Sequence, residues 1–293
     1  EYYPDAAARR LASGKTRTIA LVWHRAPDRT YRDAFLPGLL EGISRAARRF
    51  GYQVLFRPVE VDEAQGSYVE LVRGRHTDGL ILSGPRCDDT YVRGLHKEGF
   101  PIVLHGRLGD AGIPSVDVDN VQGARTAVGH LLALEHRRIG IVTNAPLAYA
   151  ASRQRLEGYR KALAEAGLTY DEDLVRQGNF DEESGYVAIQ ELMALDKPPT
   201  AVFVASDMVA MGALRALHEA KVRVPQEVAL VGFDDITASR FITPALTNIH
   251  VHTFGWGAAE LLIRIIDDDR PLDTHVRLDT ELVIRETCGA SLH

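Results

Sequence analysis

The residues best equipped for chemistry stand in short groups, each closing or following an apolar run. Trp23-His24-Arg25 ends the first such run, and His105-Gly106-Arg107 ends a later one. Arg153 and Arg155 come soon after Ile139–Thr143, and then Phe180, Ser206-Asp207, Asp234-Asp235 and Trp256 appear in turn. Carboxylates accept hydroxyl protons, while guanidinium and imidazole groups donate in fixed geometry. Aromatic faces cover the C–H faces of a sugar ring. The set therefore suits a polyhydroxylated ligand. Each member also has a plainer use. Trp23 and Trp256 suit a core, His24 and His105 suit structural hydrogen bonding, and Asp207 could cap a helix starting at Met208.

Enzyme chemistry finds little support. No GxGxxG, P-loop, GxSxG or HExxH pattern occurs. Asp234-Asp235 are adjacent and so point in different directions, whereas glycosidase acids flank a bond at about 5–9 Å. Val116-Asp117-Val118-Asp119 puts two carboxylates on one strand face without a histidine or third acid to complete a metal shell, and His250 with His252 makes half a ligand set. Cys87 and Cys288 are far apart and form no zinc spacing. No catalytic residue, metal or cofactor is expected.

The elements that must position these groups alternate along the chain. Strands are expected at Ile19–Trp23, Gln53–Phe56, Gly79–Leu82, Ile102–His105 and Ser115–Val118. A second series follows at Ile139–Thr143, Leu174–Gln177, Val202–Ala205, Ala229–Phe233 and Asn248–Val251. Amphipathic helices intervene over Asp33–Phe50, Gly123–Leu134, Arg153–Ala166, Ser184–Leu195, Met208–Ala220 and Ala258–Asp267. This is an α/β pattern of two doubly wound parallel-sheet lobes, with helices on both faces of each sheet. Ligands of such sheets bind beyond the carboxyl ends of the strands, which here means a cleft between the lobes. The division expected is a hinge helix or linker over 1–15, a first lobe of 16–118 plus 252–282, and a second of 119–251 plus 283–293.

At a net charge of −6 the body of the chain is ill suited to holding nucleic acid by itself. The amino-terminal segment differs. Pro4 suits a first helical turn, Ala6-Ala7-Ala8 a helical core, and Gly14 a stop, with Arg9, Arg10, Lys15 and Arg17 nearby. So short a helix needs a partner surface, and its charge points to an anionic one. Charged residues occupy the place where a secretion signal needs an apolar stretch, and no run reaches transmembrane length. A cytoplasmic protein is expected.

The ordered motifs resemble those of the LacI/GalR family of bacterial transcription regulators. They are Tyr3-Pro4 with Ala6 to Leu11; 117–143, DVDNVQGARTAVGHLLALEHRRIGIVT; 152–163, with Arg155, Gly158 and Tyr159; 178–186, GNFDEESGY; 199–217; 224–236; and 244–249. Departures are Asp5 for the usual asparagine, Glu135 for glycine and Ser206 for asparagine. The resemblance implies a periplasmic-binding-protein-like core of type I that senses a small effector, forms a homodimer and controls operator DNA binding. It implies that Ala8, Arg9 and Leu11 belong to a DNA-contacting hinge, with Leu11 as a minor-groove wedge. It also implies that Arg155 and Asp234 hold the effector, that Phe180 stacks on it, and that Ser206 and Asp207 line the site. Trp256 falls where the family has an apolar pocket residue, favouring a sugar ring. Trp23, His24, His105 and Arg107 complete the expected effector set. The alternative is the sugar-binding protein of a membrane transporter, which shares the two-lobe plan but has no use for a hinge segment.

Overall fold

The computed structural model describes residues 15–25, 30–60, 63–109, 112–252, 255–268 and 274–290. Ala8, Arg9, Leu11 and the rest of the expected hinge up to residue 14 lie outside the described residues. The strands are β1 (Thr18–His24), β2 (Gln53–Val59), β3 (Gly79–Ser83), β4 (Ile102–His105), β5 (Ser115–Val118), β6 (Ile139–Thr143), β7 (Val175–Gln177), β8 (Ala201–Val204), β9 (Ala229–Asp234), β10 (Asn248–Val251), β11 (His275–Leu278) and β12 (Thr280–Val283). The helices are α1 (Leu36–Arg49), α2 (Ala64–Arg73), α3 (Thr90–Lys97), α4 (Asn120–Ala133), α5 (Ala150–Glu165), α6 (Glu182–Met193), α7 (Asp207–Glu219) and α8 (Gly255–Ile266).

The strands form two sheets, in the orders β11-β5-β4-β3-β1-β2 and β12-β10-β9-β8-β6-β7. Pairing is parallel through β2-β1-β3-β4-β5 and through β7-β6-β8-β9-β10, so both sheets repeat one doubly wound plan. The strand order reverses beside β1 in one sheet and beside β6 in the other, and ligands of this architecture bind at such reversals. Continuous apolar runs form the central strands because helices cover both faces. All seven residues of β1 are buried, as are all of β3, β6 and β8.

The chain divides into two units. The first comprises residues 1–32, 36–117 and 253–276, and the second 33–35, 118–252 and 277–293. This corrects the expected boundary over 277–282. Of these, 280–282 lie in β12, which pairs antiparallel with β10, Asn248 opposite Val283, while 277 and 278 close β11 in the first sheet. Neither β11 nor β12 was expected, since their side chains are mostly partly exposed and leave no apolar run.

Asp caps explain why several helices begin earlier than their apolar period suggests. Asp119 accepts from the Gln122 amide at 2.9 Å and starts α4, and Asp181 accepts from Ser184 at 2.9 Å and starts α6. Where α4 meets α5, Gly158 lets the helices touch: a Cβ there would stand 2.8 Å from the Ala124 methyl and press on the Val121 carbonyl. The core of the second unit includes Val142, Ile189, Val202, Val204, Val209 and Leu230.

Candidate functional site

At the carboxyl edge of the second sheet, α5 carries Arg155 and β9 ends in Asp234. Arg155 is 7 % exposed and anchored on several sides. Its Nε donates to Asn120 Oδ1 at 2.9 Å, one terminal nitrogen donates to the Ala205 carbonyl at 2.6 Å, and the guanidinium carbon lies 3.7 Å from the centroid of the Phe233 ring. Its contact with Asp234 Oδ1 is long, 3.5 Å. A charged pair in direct hydrogen bonding stands at about 2.7–2.9 Å. The guanidinium is thus oriented by other groups and is not consumed by the carboxylate.

Asp234 also accepts from the Ser206 hydroxyl and the Asp207 amide, and burial, opposed by Arg155, pushes its carboxyl up to about 6. Its backbone has φ 105°, while Asp235 follows at 55° and Phe180 stands at 65°. Non-glycine residues with positive φ are uncommon and gather where a site constrains the chain. Asp235 faces away from Arg155, paired with Arg285 at 2.6 Å and His250 at 3.1 Å. The two adjacent carboxylates therefore serve different partners. Phe180 donates its amide to the Asn144 carbonyl at 2.8 Å and meets Tyr149 edge-on at 4.8 Å.

Asp207 is wholly buried as the first residue of α7, so it does not cap a helix from Met208. Its Oδ2 accepts from the Ile236 amide at 2.8 Å and the Ser239 hydroxyl at 2.6 Å, and its Oδ1 from the Asn248 amide group at 2.6 Å. It ties α7 to the turn after β9 and to β10, and so holds Asp234 in place. Gly232 makes room for this knot, because a Cβ there would meet Asp207 Oδ1 at 2.7 Å. Burial, reinforced by Asp234, pushes Asp207 up to about 7 against its donors. Ser206 is 6 % exposed and works through Asp234, which the shorter side chain still reaches.

The first unit places its candidates differently. Trp23 is 3 % exposed, with no hydrogen-bond partner for its indole Nε1 and the Arg25 guanidinium 5.3 Å from its ring centroid. His24 is buried, with Nδ1 hydrogen-bonded to the Gly84 carbonyl at 3.1 Å and Nε2 paired with the Tyr68 hydroxyl at 2.6 Å. Burial lowers its pKa below the ordinary imidazole value. His105 is paired through Nδ1 with Ser83 at 2.9 Å, and burial pushes it down to about 3. Arg107 is exposed. Trp256 lies in the first turn of α8, where its indole donates to Glu260 Oε2 at 2.8 Å. That donor is bonded within its own helix, and the expected contact concerns the ring face instead.

Sequence reasoning missed Asn120, which holds Arg155, and Asn144, whose Oδ1 accepts from the Ser152 hydroxyl at 3.0 Å beside the Phe180 amide bond. Asn144 directly follows β6, so reading every strand end would have found it. Asn120 sits inside a quoted motif, but its role depends on Arg155 lying across from it in the fold. Among the described residues no group of three or more His, Cys, Asp or Glu could hold a metal ion. No helix among them is long and apolar enough to cross a membrane.

Comparison with known proteins matches residues 128–288 to a periplasmic binding protein-like domain. The transcriptional regulator CelR of Thermobifida fusca is 36 % identical over 98 % of this chain and 85 % of its own length. The chain belongs to the LacI family of transcriptional regulators. The repressor CytR of Escherichia coli K12 is 30 % identical, with 99 % of this chain and 84 % of that protein aligned. Among solved structures, a CelR–cellobiose complex superposes with TM-score 0.86 at 32 % identity, covering 96 % of this chain and 89 % of that one. A LacI-type regulator from Bacillus cereus gives TM-score 0.88 at 30 % identity, covering 92 % and 98 %. The matching relatives are transcriptional regulators, which disfavours the transporter alternative. Members of the family bind operator DNA and small effectors and act as dimers.

Proposed function

We propose that this chain senses a saccharide and passes that state to operator DNA, with the sugar held at the carboxyl edge of the second sheet. The observation that carries the reading is the Arg155–Asp234 pair, the arginine buried and held by other groups, the carboxylate partly exposed, and the contact between them long. Asp234 accepts from vicinal sugar hydroxyls, Arg155 donates to their oxygens, and Phe180 covers a C–H face of the ring. The relative crystallised with cellobiose supports a β-linked oligosaccharide as the first class to test. At the corresponding edge of the first unit, His24 and His105 are each held by a bond within that unit. The protein works as a regulator rather than an enzyme, in the cytoplasm where operator DNA lies.

Calorimetry with cellobiose, glucose, maltose and purine nucleosides tests the reading. Binding of a saccharide that disappears in both Asp234→Ala and Arg155→Ala is the expected result. Binding of a nucleoside alone would refute the sugar assignment and leave the family intact.

A further inference from the structure

The amino-terminal end of the described first unit is gripped by two carboxylates that the effector site does not use. Thr16 donates to Asp78 Oδ1 through its amide at 2.7 Å and its hydroxyl at 2.9 Å, and the Arg17 amide donates to Asp78 Oδ2 at 2.7 Å. Arg17 has φ 52°, so the chain turns sharply at the point where Asp78 collects these consecutive amides, one residue before β1. On the other side, Lys15 Nζ donates to Asp267 Oδ1 at 2.8 Å and to the Ile266 carbonyl at 3.1 Å. The Tyr52 hydroxyl donates to the same Asp267 oxygen at 3.1 Å, and Arg17 stands 3.5 Å from the second. The Arg17 guanidinium also lies 5.0 Å from the centroid of the Tyr52 ring.

A single exposed ion pair contributes little. This arrangement differs because each carboxylate is shared among several donors and one of the grips is on backbone. Partial burial works against Asp267, yet the hydrogen bonds from Lys15 and Tyr52 hold its carboxyl below the usual range. Burial and the Asp267 carboxylate push the Tyr52 phenol up, so it remains a donor. Asp78 stands just ahead of β3 and Asp267 directly after α8, so both are fixed to the sheet and helix of the first unit.

Residues 1–14, the segment the sequence assigns to the DNA side, run directly into this junction along the chain. We propose that Asp78 and Asp267 are positioning residues for operator binding: they set the point and direction at which the DNA-side segment leaves the core. DNA half-sites have fixed spacing, so a junction free to swivel loses affinity and response together. The proposal rests on the family's DNA binding and not on the identity of the effector.

The test uses the protein with its DNA-binding segment. Operator affinity by fluorescence anisotropy, with and without saccharide, is measured for Asp267→Asn, Asp78→Asn and Tyr52→Phe, with Glu70→Gln of the surface pair Arg57–Glu70 as control. The expected result is operator binding weaker by about tenfold, or a saccharide response reduced by about that factor. Saccharide affinity and melting temperature should stay near wild type, and the charge swap Lys15→Asp with Asp267→Lys should restore binding. If Asp78→Asn fails to fold, the two Asp267-side variants carry the test. Operator affinity and response unchanged within about twofold would overturn the proposal, as would a parallel fall in saccharide affinity and melting temperature. A wild-type protein that ignores every saccharide would instead remove the effector reading, while operator affinity alone still reports on the junction.

Discussion

The two sheets share one strand order, yet their carboxyl edges carry different chemistry. The second edge holds Arg155, Asp234 and Asp207, with two carboxyls pushed up to about 6 and about 7 and positive φ at Asp234, Asp235 and Phe180. The first edge holds Trp23, His24 and His105, with both imidazoles kept neutral by burial. Topology therefore supplies such an edge twice, and among the described residues only the second combines carboxyls of raised pKa with non-glycine residues at positive φ. The second edge should govern the pH dependence of affinity.

The largest effect should come from Asp207→Ala, which leaves the Ile236 amide, Ser239 and Asn248 without their acceptor. Buried orphaned donors cost roughly 1–3 kcal/mol each and do not add fully, so urea denaturation should show a loss of about 3–5 kcal/mol. A loss below about 1 kcal/mol would mean the knot is not what holds this edge. Next, Arg155→Lys keeps the charge but loses the planar fork, and saccharide affinity by calorimetry should fall about 10–100-fold, with a lowered melting temperature because one ammonium cannot replace the bonds to Asn120 and the Ala205 carbonyl.

Smaller effects sharpen the contrast between the edges. Saccharide hydroxyls need the Asp234 carboxylate, which is ionised above about pH 6. Affinity should therefore fall about tenfold between pH 7.5 and pH 5, and Asp234→Asn should bind weakly with a flat profile. His105→Asn should leave the profile's shape unchanged, because His105 is pushed down to about 3 and stays neutral throughout that range. Folding has the opposite sign. Carboxyls raised in the folded state stabilise it most below the ordinary carboxylate range, and that contribution is lost as pH rises through about 6 and about 7. The smallest effect separates the two indoles. Trp23→Phe removes an unpartnered N–H and should leave stability unchanged or raised by up to about 1 kcal/mol, while weakening saccharide binding. Trp256→Phe breaks a partly exposed bond within α8 and should stay within about 0.5 kcal/mol, with binding intact.

Much of this was legible in the sequence. The runs TIALVW and AVFV announced buried parallel strands because helices cover both faces, and the strand ends pointed to Arg155, Phe180 and Asp234. β11 and β12 were not legible, since partly exposed edge strands carry no apolar period. The tie made by Asp207 was not legible, because a carboxylate at a helix start looks the same whether it faces a ligand or joins three segments. Only the burial of its partners decides. The bond of the Trp256 indole was not legible for a similar reason: Glu260, one helical turn on, captures its donor, and residue type alone does not reveal that capture.

The most direct measurement is calorimetric titration of cellobiose into the wild-type protein and Asp234→Asn at pH 7.5. Saturable binding in the wild type, weakened at least about 30-fold in a variant that still folds, is the predicted result. Equal affinity in both would contradict the assignment of the effector to the Arg155–Asp234 edge.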